Sequence, residues 1–314
     1  MRMVEFRYGM LPCAFRFESV PELRLLDFDE LQRKALDRVC AMFPNMTSLK
    51  IASIAVPLFD EVGAMEYFIR NMSRVDKLSV TTSLLESQFK SMAGMLRWPV
   101  RTIELDVSAS GNSFARRARS VMRELLTAKS ILTIRSTRKR DITGEWKPQY
   151  FITIRVGPGD GRQYTFLHDN FARAAQNYIA PLLHAKQVQE VVVDGYAACS
   201  LLYVACGIAD LAHIKTLRIV ASDSDSIYVP QRELRLSALK ELVLVKDDAR
   251  GSRVTAASVE GLVSKLHTDG RVALRLIGVY VYADCDPLNI EQYVDLVEGV
   301  IRPPGWCHIT PCVV

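Results

Sequence analysis

Ser113 has the surroundings nearest to a catalytic motif. The segment Gly111-Asn-Ser-Phe-Ala115 follows a strand pattern and opens a helix pattern. That is the setting of a nucleophile elbow, with alanine in place of the final glycine. A serine so placed can attack a carbonyl when a histidine takes its proton and an acid orients the histidine. Acids and a histidine follow in hydrolase order, Asp194 or Asp247 and then His267. Against this, Ser108-Ala-Ser110 separates strand from turn where an elbow is abrupt, and no His-Gly-Gly segment offers oxyanion donors. Ser113 therefore reads as a helix N-cap or first-turn residue, with Asn112 as the alternative cap. An α/β serine hydrolase using Ser113 is kept as the second reading of function.

Other reactive residue types fall into weaker patterns. The five histidines, at 168, 184, 213, 267 and 308, include no pair at i, i+4, so a zinc-binding His-Glu-x-x-His helix is absent. Cys307-His308 with Cys312 offers three metal donors at an unusual spacing. Asp284-Cys-Asp286 is too short and too glycine-poor for a calcium loop. Gly157-Pro-Gly-Asp-Gly161 could cradle a phosphate, but Gly-x-Gly-x-x-Gly and the Walker lysine are missing, so it reads as a tight turn. Neither a metal nor a cofactor is expected.

Charge is concentrated in one place. Residues 116–140 hold Arg116, Arg117, Arg119, Arg123, Lys129, Arg135, Arg138, Lys139 and Arg140 against Glu124, a net +8 in a chain whose total is +5. Arg116, Arg119 and Arg123 share one helix face, opposite an apolar stripe of Phe114, Ala118, Val121 and Leu125. The pattern suits a solvated helix face followed by a basic loop, and offers a site for an acidic partner. Aromatic residues do not interleave with the cations (Phe114 and Trp146 flank them), which argues against nucleic acid as the partner.

The composition that must position these residues is ordinary for a folded protein: 314 residues, 49% hydrophobic and 24% charged. Seven scattered cysteines form neither a dense disulfide framework nor a C-x-x-C pair, which suits buried thiols in the cytoplasm or nucleus. Glu5 and Arg7 interrupt any apolar leader, and no run approaches the roughly 18 apolar residues of a membrane helix. Ala197 to Leu211 is the most apolar stretch and reads as a buried helix.

The organising feature is a repeat. The pattern apolar-x-x-apolar-x-apolar occurs at Leu23/Leu26/Phe28, Met46/Leu49/Ile51, Val75/Leu78/Val80, Val100/Ile103/Leu105, Val188/Val191/Val193, Ile214/Leu217/Ile219 and Leu239/Leu242/Leu244. Successive middle positions are 23, 29, 25, 88, 26 and 25 residues apart. Two weaker strands, around Leu132/Ile134 and Ile152/Ile154, fill the long gap, and Tyr150–Val156 with Arg162–Leu167 read as a β-hairpin. Helix stripes lie between copies, including Val259, Leu262, Val263 and Leu266, and Val294, Leu296, Val297 and Val300. A strand–loop–helix–loop unit of about 25 residues cannot bury its faces alone, and stacked copies can.

Phe43-Pro-Asn-Met-Thr-Ser-Leu-Lys-Ile51, His213-Ile-Lys-Thr-Leu-Arg-Ile219 and Ser237-Ala-Leu-Lys-Glu-Leu-Val-Leu244 resemble degenerate leucine-rich repeats, in particular those of fungal F-box proteins. The chain lacks the repeat's usual Asn after the strand, and no Leu-Pro-x-Glu-like F-box segment precedes the copies. The resemblance implies a horseshoe solenoid that recognises substrates for an SCF-type ubiquitin ligase, with ubiquitin-ligase subunits as partners.

The expected fold is therefore an α/β leucine-rich-repeat-like solenoid with a hairpin insert near 150–167, the alternative being a doubly wound α/β sheet. It is read as one domain over 1–314, with caps at 1–22 and 281–314 around repeats at 23–280. The expected function is non-catalytic binding of another protein, without membrane contact. Strand positions alternate with the core residues to form the binding face: Arg135, Arg155, Arg218 and Arg275 as anchors, Glu104 and Asp106 of opposite sign, and Val192 and Val243 as apolar contacts.

Overall fold

The computed structural model describes residues 3–7, 16–26, 33–52, 73–81, 96–108, 112–126, 130–140, 144–157, 161–207, 211–220, 227, 229–246, 252–282 and 292–302. The protein is of the α/β class, and its strands pair mostly in parallel. Two compact units divide the chain: Met1–Thr127 with Phe151–Asn170, and Ala128–Tyr150 with Phe171–Val314.

The first unit contains β1 (Met3–Arg7), β2 (Glu22–Leu26), α1 (Arg33–Met42), β3 (Ser48–Ala52), β4 (Lys77–Thr81), β5 (Thr102–Asp106) and α2 (Asn112–Leu125). Strands β1 to β5 stand side by side in chain order, each parallel to the next. Parallel neighbours need a crossover of a dozen or more residues to bring the chain back to the same end. The 23–29-residue spacing of the repeat supplies one each time. Register is in step throughout: Leu23, Leu49, Leu78 and Ile103 lie opposite one another, and all are buried.

A backbone bond recurs once per repeat just ahead of the strands. Thr47 N–H donates to Pro21 O (2.9 Å), Asp76 N–H to Thr47 O (2.7 Å) and Thr102 N–H to Asp76 O (2.9 Å). The stripe expected on α2 is buried at Phe114, Ala118 and Val121, joined by Ala115 and Met122. Both strands expected in the hairpin form: β7 (Trp146–Val156) and β8 (Arg162–His168). In this unit β8 also pairs with β5 in parallel, placing Tyr164 beside Ile103 and Phe166 beside Leu105.

The second unit repeats the arrangement. It holds β6 (Ser130–Arg140), the helical turns α3 (Phe171–Ala174) and α4 (Ala180–Leu183) joined by a π turn (Ala175–Ile179), β9 (Val188–Asp194) and α5 (Tyr196–Cys206). It continues with β10 (Thr216–Val220), β11 (Leu234–Arg235), β12 (Glu241–Val245), β13 (Ser252–Thr255), α6 (Ala256–Val263), β14 (Leu266–His267), β15 (Val272–Tyr282) and β16 (Val294–Arg302). Strands β6, β9, β10, β12 and β15 are successive parallel neighbours, and β11 pairs with β14 apart from them. Val191, Leu217, Leu242 and Leu274 form its buried row. The once-per-repeat bond returns as Lys215 N–H to Gln189 O (2.8 Å), Lys240 N–H to Lys215 O (2.8 Å) and Ala273 N–H to Lys240 O (2.9 Å). The apolar stretch from Ala197 supplies α5, whose Ala198, Cys199, Leu201, Leu202 and Ala205 are buried; no helix among the described residues is long and apolar enough to cross a membrane.

One helix expectation is overturned. Val294, Leu296, Val297 and Val300 belong to β16, not to a helix. The segment is rich in β-branched residues, and it pairs with β15. Its register to β15 jumps, because Arg275 faces Glu298 while Tyr280 faces Val300. Four residues of β15 therefore bulge where β16 contributes only Gly299, and Gly278 in the bulge sits at φ 66°.

Leu78 and Leu242 are wholly buried centres of the two rows. Leu78→Ala and Leu242→Ala are each expected to lower unfolding free energy by about 2–5 kcal/mol in denaturant titrations. Gly195 caps α5 at φ 94°, and a Cβ there would lie 2.7 Å from Ser136 Oγ. Gly195→Ala is expected to cost about 1–3 kcal/mol by the same measurement.

Candidate functional site

Alternation along β5 sends Ile103 and Leu105 into the core and leaves Thr102, Glu104 and Asp106 half-exposed, while on the neighbouring strands Ser79 and Thr165 of the same face are buried. Because the strands are in register, the residues of that face line up in rows. In the first unit one row runs Arg24, Lys50, Ser79, Glu104, Thr165. Glu104 is held from β4: Ser79 Oγ donates to its Oε1 at 3.1 Å, and Lys77 Nζ lies 3.5 Å from its Oε2. Asp106 lies between Thr81 and Leu167 and accepts the Ser108 N–H at 3.1 Å. Thr153 and Thr165 share a hydroxyl hydrogen bond of 2.9 Å, and Arg155, two residues beyond Thr153 on the same face, is exposed.

The second unit brings its three predicted arginines against carboxylates. Its central row runs Thr133, Val192, Arg218, Val243, Arg275, Glu298. Arg275 Nε donates to Glu241 Oε1 at 2.6 Å, and its Nη1 to Glu298 Oε2 at 3.3 Å. These bonds, with that to Glu241 the largest, hold the guanidinium pKa above its ordinary value. Arg218 Nε stands 3.8 Å from Glu190 Oε1, and Arg135 Nε 3.2 Å from Asp194 Oδ2. Thr216 Oγ1 donates to Glu241 Oε2 at 3.5 Å. Val192 is half-buried, while Val243, flanked in register by Arg218 and Arg275, is buried at 1% exposure and presents almost no surface.

Glu190, Glu241 and Glu298 were not among the residues picked from sequence, and Asp194 entered only as a candidate catalytic acid. Two of them, Glu190 and Glu241, were within reach of it. Glu190, Thr216 and Glu241 each precede the central apolar residue of their copy, and Arg218 follows one, so stacking the copies in register predicts acids beside arginines. Glu298 was hidden by the helical reading of its segment.

The catalytic reading finds other partners for its residues. Asn112 and Ser113 lie in the first turn of α2, in the first unit. In the second unit His267 Nε2 pairs with Glu233 Oε2 at 2.9 Å, and Asp194 pairs with Arg135. Asp247, Asp284 to Asp286, Cys307, His308 and Cys312 lie outside the described residues. Among the described residues no group of three His, Cys, Asp or Glu could hold a metal ion. A 410 Å³ hollow after α6, lined by His267, Asp269, Arg271 and Tyr293 among others, has its cation Arg271 paired with Asp295 at 2.7 Å. The sheet face offers paired charges and hydroxyls.

Cys199, on α5, is a buried thiol. Burial pushes the Cys199 pKa up to about 12, and Asp194 adds to the effect, so the sulfur is a neutral thiol at neutral pH and no nucleophile. An alkylating reagent at about pH 8 is expected to leave Cys199 untouched in the folded chain and to modify it in urea, read by mass spectrometry. The folded pKa lies above the ordinary value of 9.0. The stability lent by the neutral buried thiol is therefore intact below pH 9 and falls away between there and about 12. No protein-family model matches this chain, and no curated protein is significantly similar to it.

Proposed function

We propose that the chain is a leucine-rich-repeat-like strand–helix solenoid that binds another protein through the half-exposed face of its strands. The observation that carries the reading is the in-register rows of mixed charge, Arg24–Lys50–Ser79–Glu104 in one unit and Arg218–Val243–Arg275–Glu298 in the other. A parallel strand array built from one repeated unit gives a long surface whose chemistry is set position by position, which suits recognition of an extended protein surface. The exposed Arg155 and the half-exposed Lys50 are the anchors favoured in the first unit, since arginine is over-represented at interface hot spots. In the second unit, Arg135, Arg218 and Arg275 act as preorganised pairs with their carboxylates, offering both signs of charge at once.

The finer step, substrate recognition for an SCF-type ubiquitin ligase in the cytoplasm or nucleus, rests on the likeness of residues 43–51, 213–219 and 237–244 to the repeats of F-box proteins.

The test is comparative capture from the parent cell's extract by three forms of the full chain. Lys50→Glu with Arg155→Glu is expected to cut recovery of the specific partner by about tenfold or more. Its melting temperature is expected to stay within about 2 °C of the parent, as for surface substitutions generally. Arg116→Glu with Arg117→Glu, on the exposed face of α2, is expected to leave recovery unchanged. Full recovery by the Lys50/Arg155 variant overturns the assignment of the face. Ligase subunits in the recovered set support the finer step, and their absence removes it.

A further inference from the structure

The strands β6 and β7 run on past the ladder that β6 forms with β9. The last partners in that ladder are Arg135 and Asp194, because Gly195 at φ 94° turns the chain out of β9 and into α5. Five residues of β6, Ser136 to Arg140, continue beyond that point alongside the start of β7. Burial falls away along them. Leu132 and Ile134 are buried, Ser136 and Thr137 half-buried, and Arg138, Lys139 and Arg140 exposed. On β7, Trp146 is 59% exposed, and Lys147 and Pro148 are exposed too.

The fold also changes the neighbourhood of Trp146. In the sequence it lies outside the basic run. In the structure β7 returns it to the end of β6, where the Arg140 guanidinium carbon stands 4.9 Å from the centre of its ring. Such a contact is worth about 0.5–1 kcal/mol at an exposed site. A two-stranded ribbon exposed on both faces is marginal without a surface to rest on. Tryptophan and arginine are also the residue types that anchor interfaces.

An exposed strand edge is ordinarily a hazard, and cations on it keep other strands away. Three consecutive cations do more than repel. They discriminate, since a neutral or basic strand gains nothing there while a strand carrying carboxylates gains an ion pair with each register step. Residues 138–147 hold four cations and two acids, Asp141 and Glu145. That mixture suits carboxylates spaced along a peptide better than the unbroken charge of a polynucleotide.

We propose that the β6 edge from Thr137 to Arg140 docks an acidic, extended segment of a partner protein by strand addition. The partner's backbone would continue the ladder where β9 leaves it, Arg138, Lys139 and Arg140 would receive its carboxylates, and the Trp146–Arg140 pair would flank its end. The site is a strand edge of the second unit and is independent of the sheet-face reading, so either can fail alone.

The experiment is fluorescence anisotropy on the full chain with a labelled short peptide of alternating glutamate and valine. Three further probes are that peptide N-methylated on one alternate set of residues, the same peptide N-methylated on the other set, and an oligo-dT of matching length. Saturable binding of the parent peptide is expected, weakening as salt is added. Arg138→Glu with Arg140→Glu is expected to weaken it about tenfold or more, with an unchanged melting temperature. Lys139→Glu repeats the test should the double variant fold poorly. One of the two methylated peptides is expected to lose binding, because strand addition needs its N–H groups. Three results overturn the proposal: no saturable binding of the parent peptide, equal binding of both methylated forms, or tighter binding of oligo-dT than of the peptide.

Discussion

The structure depends on one constraint: consecutive strands lie parallel, side by side and in step. Parallel pairing cannot be made by a tight turn, so each unit must spend a helix or an equivalent length of chain returning to the same end. The backbone bond that recurs before the strands, Thr47 to Pro21, Asp76 to Thr47, Lys240 to Lys215, marks where each return is completed. Once the returns share a length, register follows. Once register is fixed, every side chain of a given strand position stands beside its counterpart in the next copy. The buried rows through Leu49, Leu78 and Ile103 and through Leu217 and Leu242 follow from that rule, as do the charged rows on the other face.

The same rule explains why acids accompany the arginines. In a row of like residues at strand spacing, equal charges would stand beside one another and repel. Glu241 sits within reach of Arg275 and Glu190 within reach of Arg218, each one strand over. These are exposed or half-exposed pairs, and such pairs add little to stability.

The sequence displayed the fold where the repeat was regular. Six of the seven copies of the apolar pattern place their central residue in a strand at the expected register, β3 to β5 and β9, β10 and β12, because a period of two residues beside a fixed return length is hard to satisfy any other way; in the first copy Leu23, not Leu26, lies opposite Leu49, and Phe28 lies outside the described residues. It misled where local preference and periodicity diverged. Val294, Leu296, Val297 and Val300 match a helical stripe, yet their β-branched neighbours and the exposed edge of β15 made a strand. The basic run was read as helix and loop, and its second half is a strand, β6, whose Leu132 and Ile134 are buried and whose Arg138 to Arg140 are exposed. Arg135, Arg218 and Arg275 were legible as sheet-face residues. Their partners were not, because a contact between residues 23 to 59 apart shows only when copies are laid one on another in register. The burial of Val243 was hidden for a related reason, since it depends on what flanks the residue across two neighbouring strands.

A series of equivalent parallel strands contains no instruction to stop. Whatever geometry lets β10 receive β12 would let the final strand receive another molecule, and then another. The bulge between β15 and β16 breaks that logic. Where Arg275 to Tyr280 of β15 spans only Glu298 to Val300 of β16, the last strand leaves the spacing of its predecessors and offers an edge out of phase with any β-strand of regular pitch. Leu296 and Val297 of β16 are exposed beside this irregularity, and an irregular edge is a poorer template for further strand pairing than a regular one.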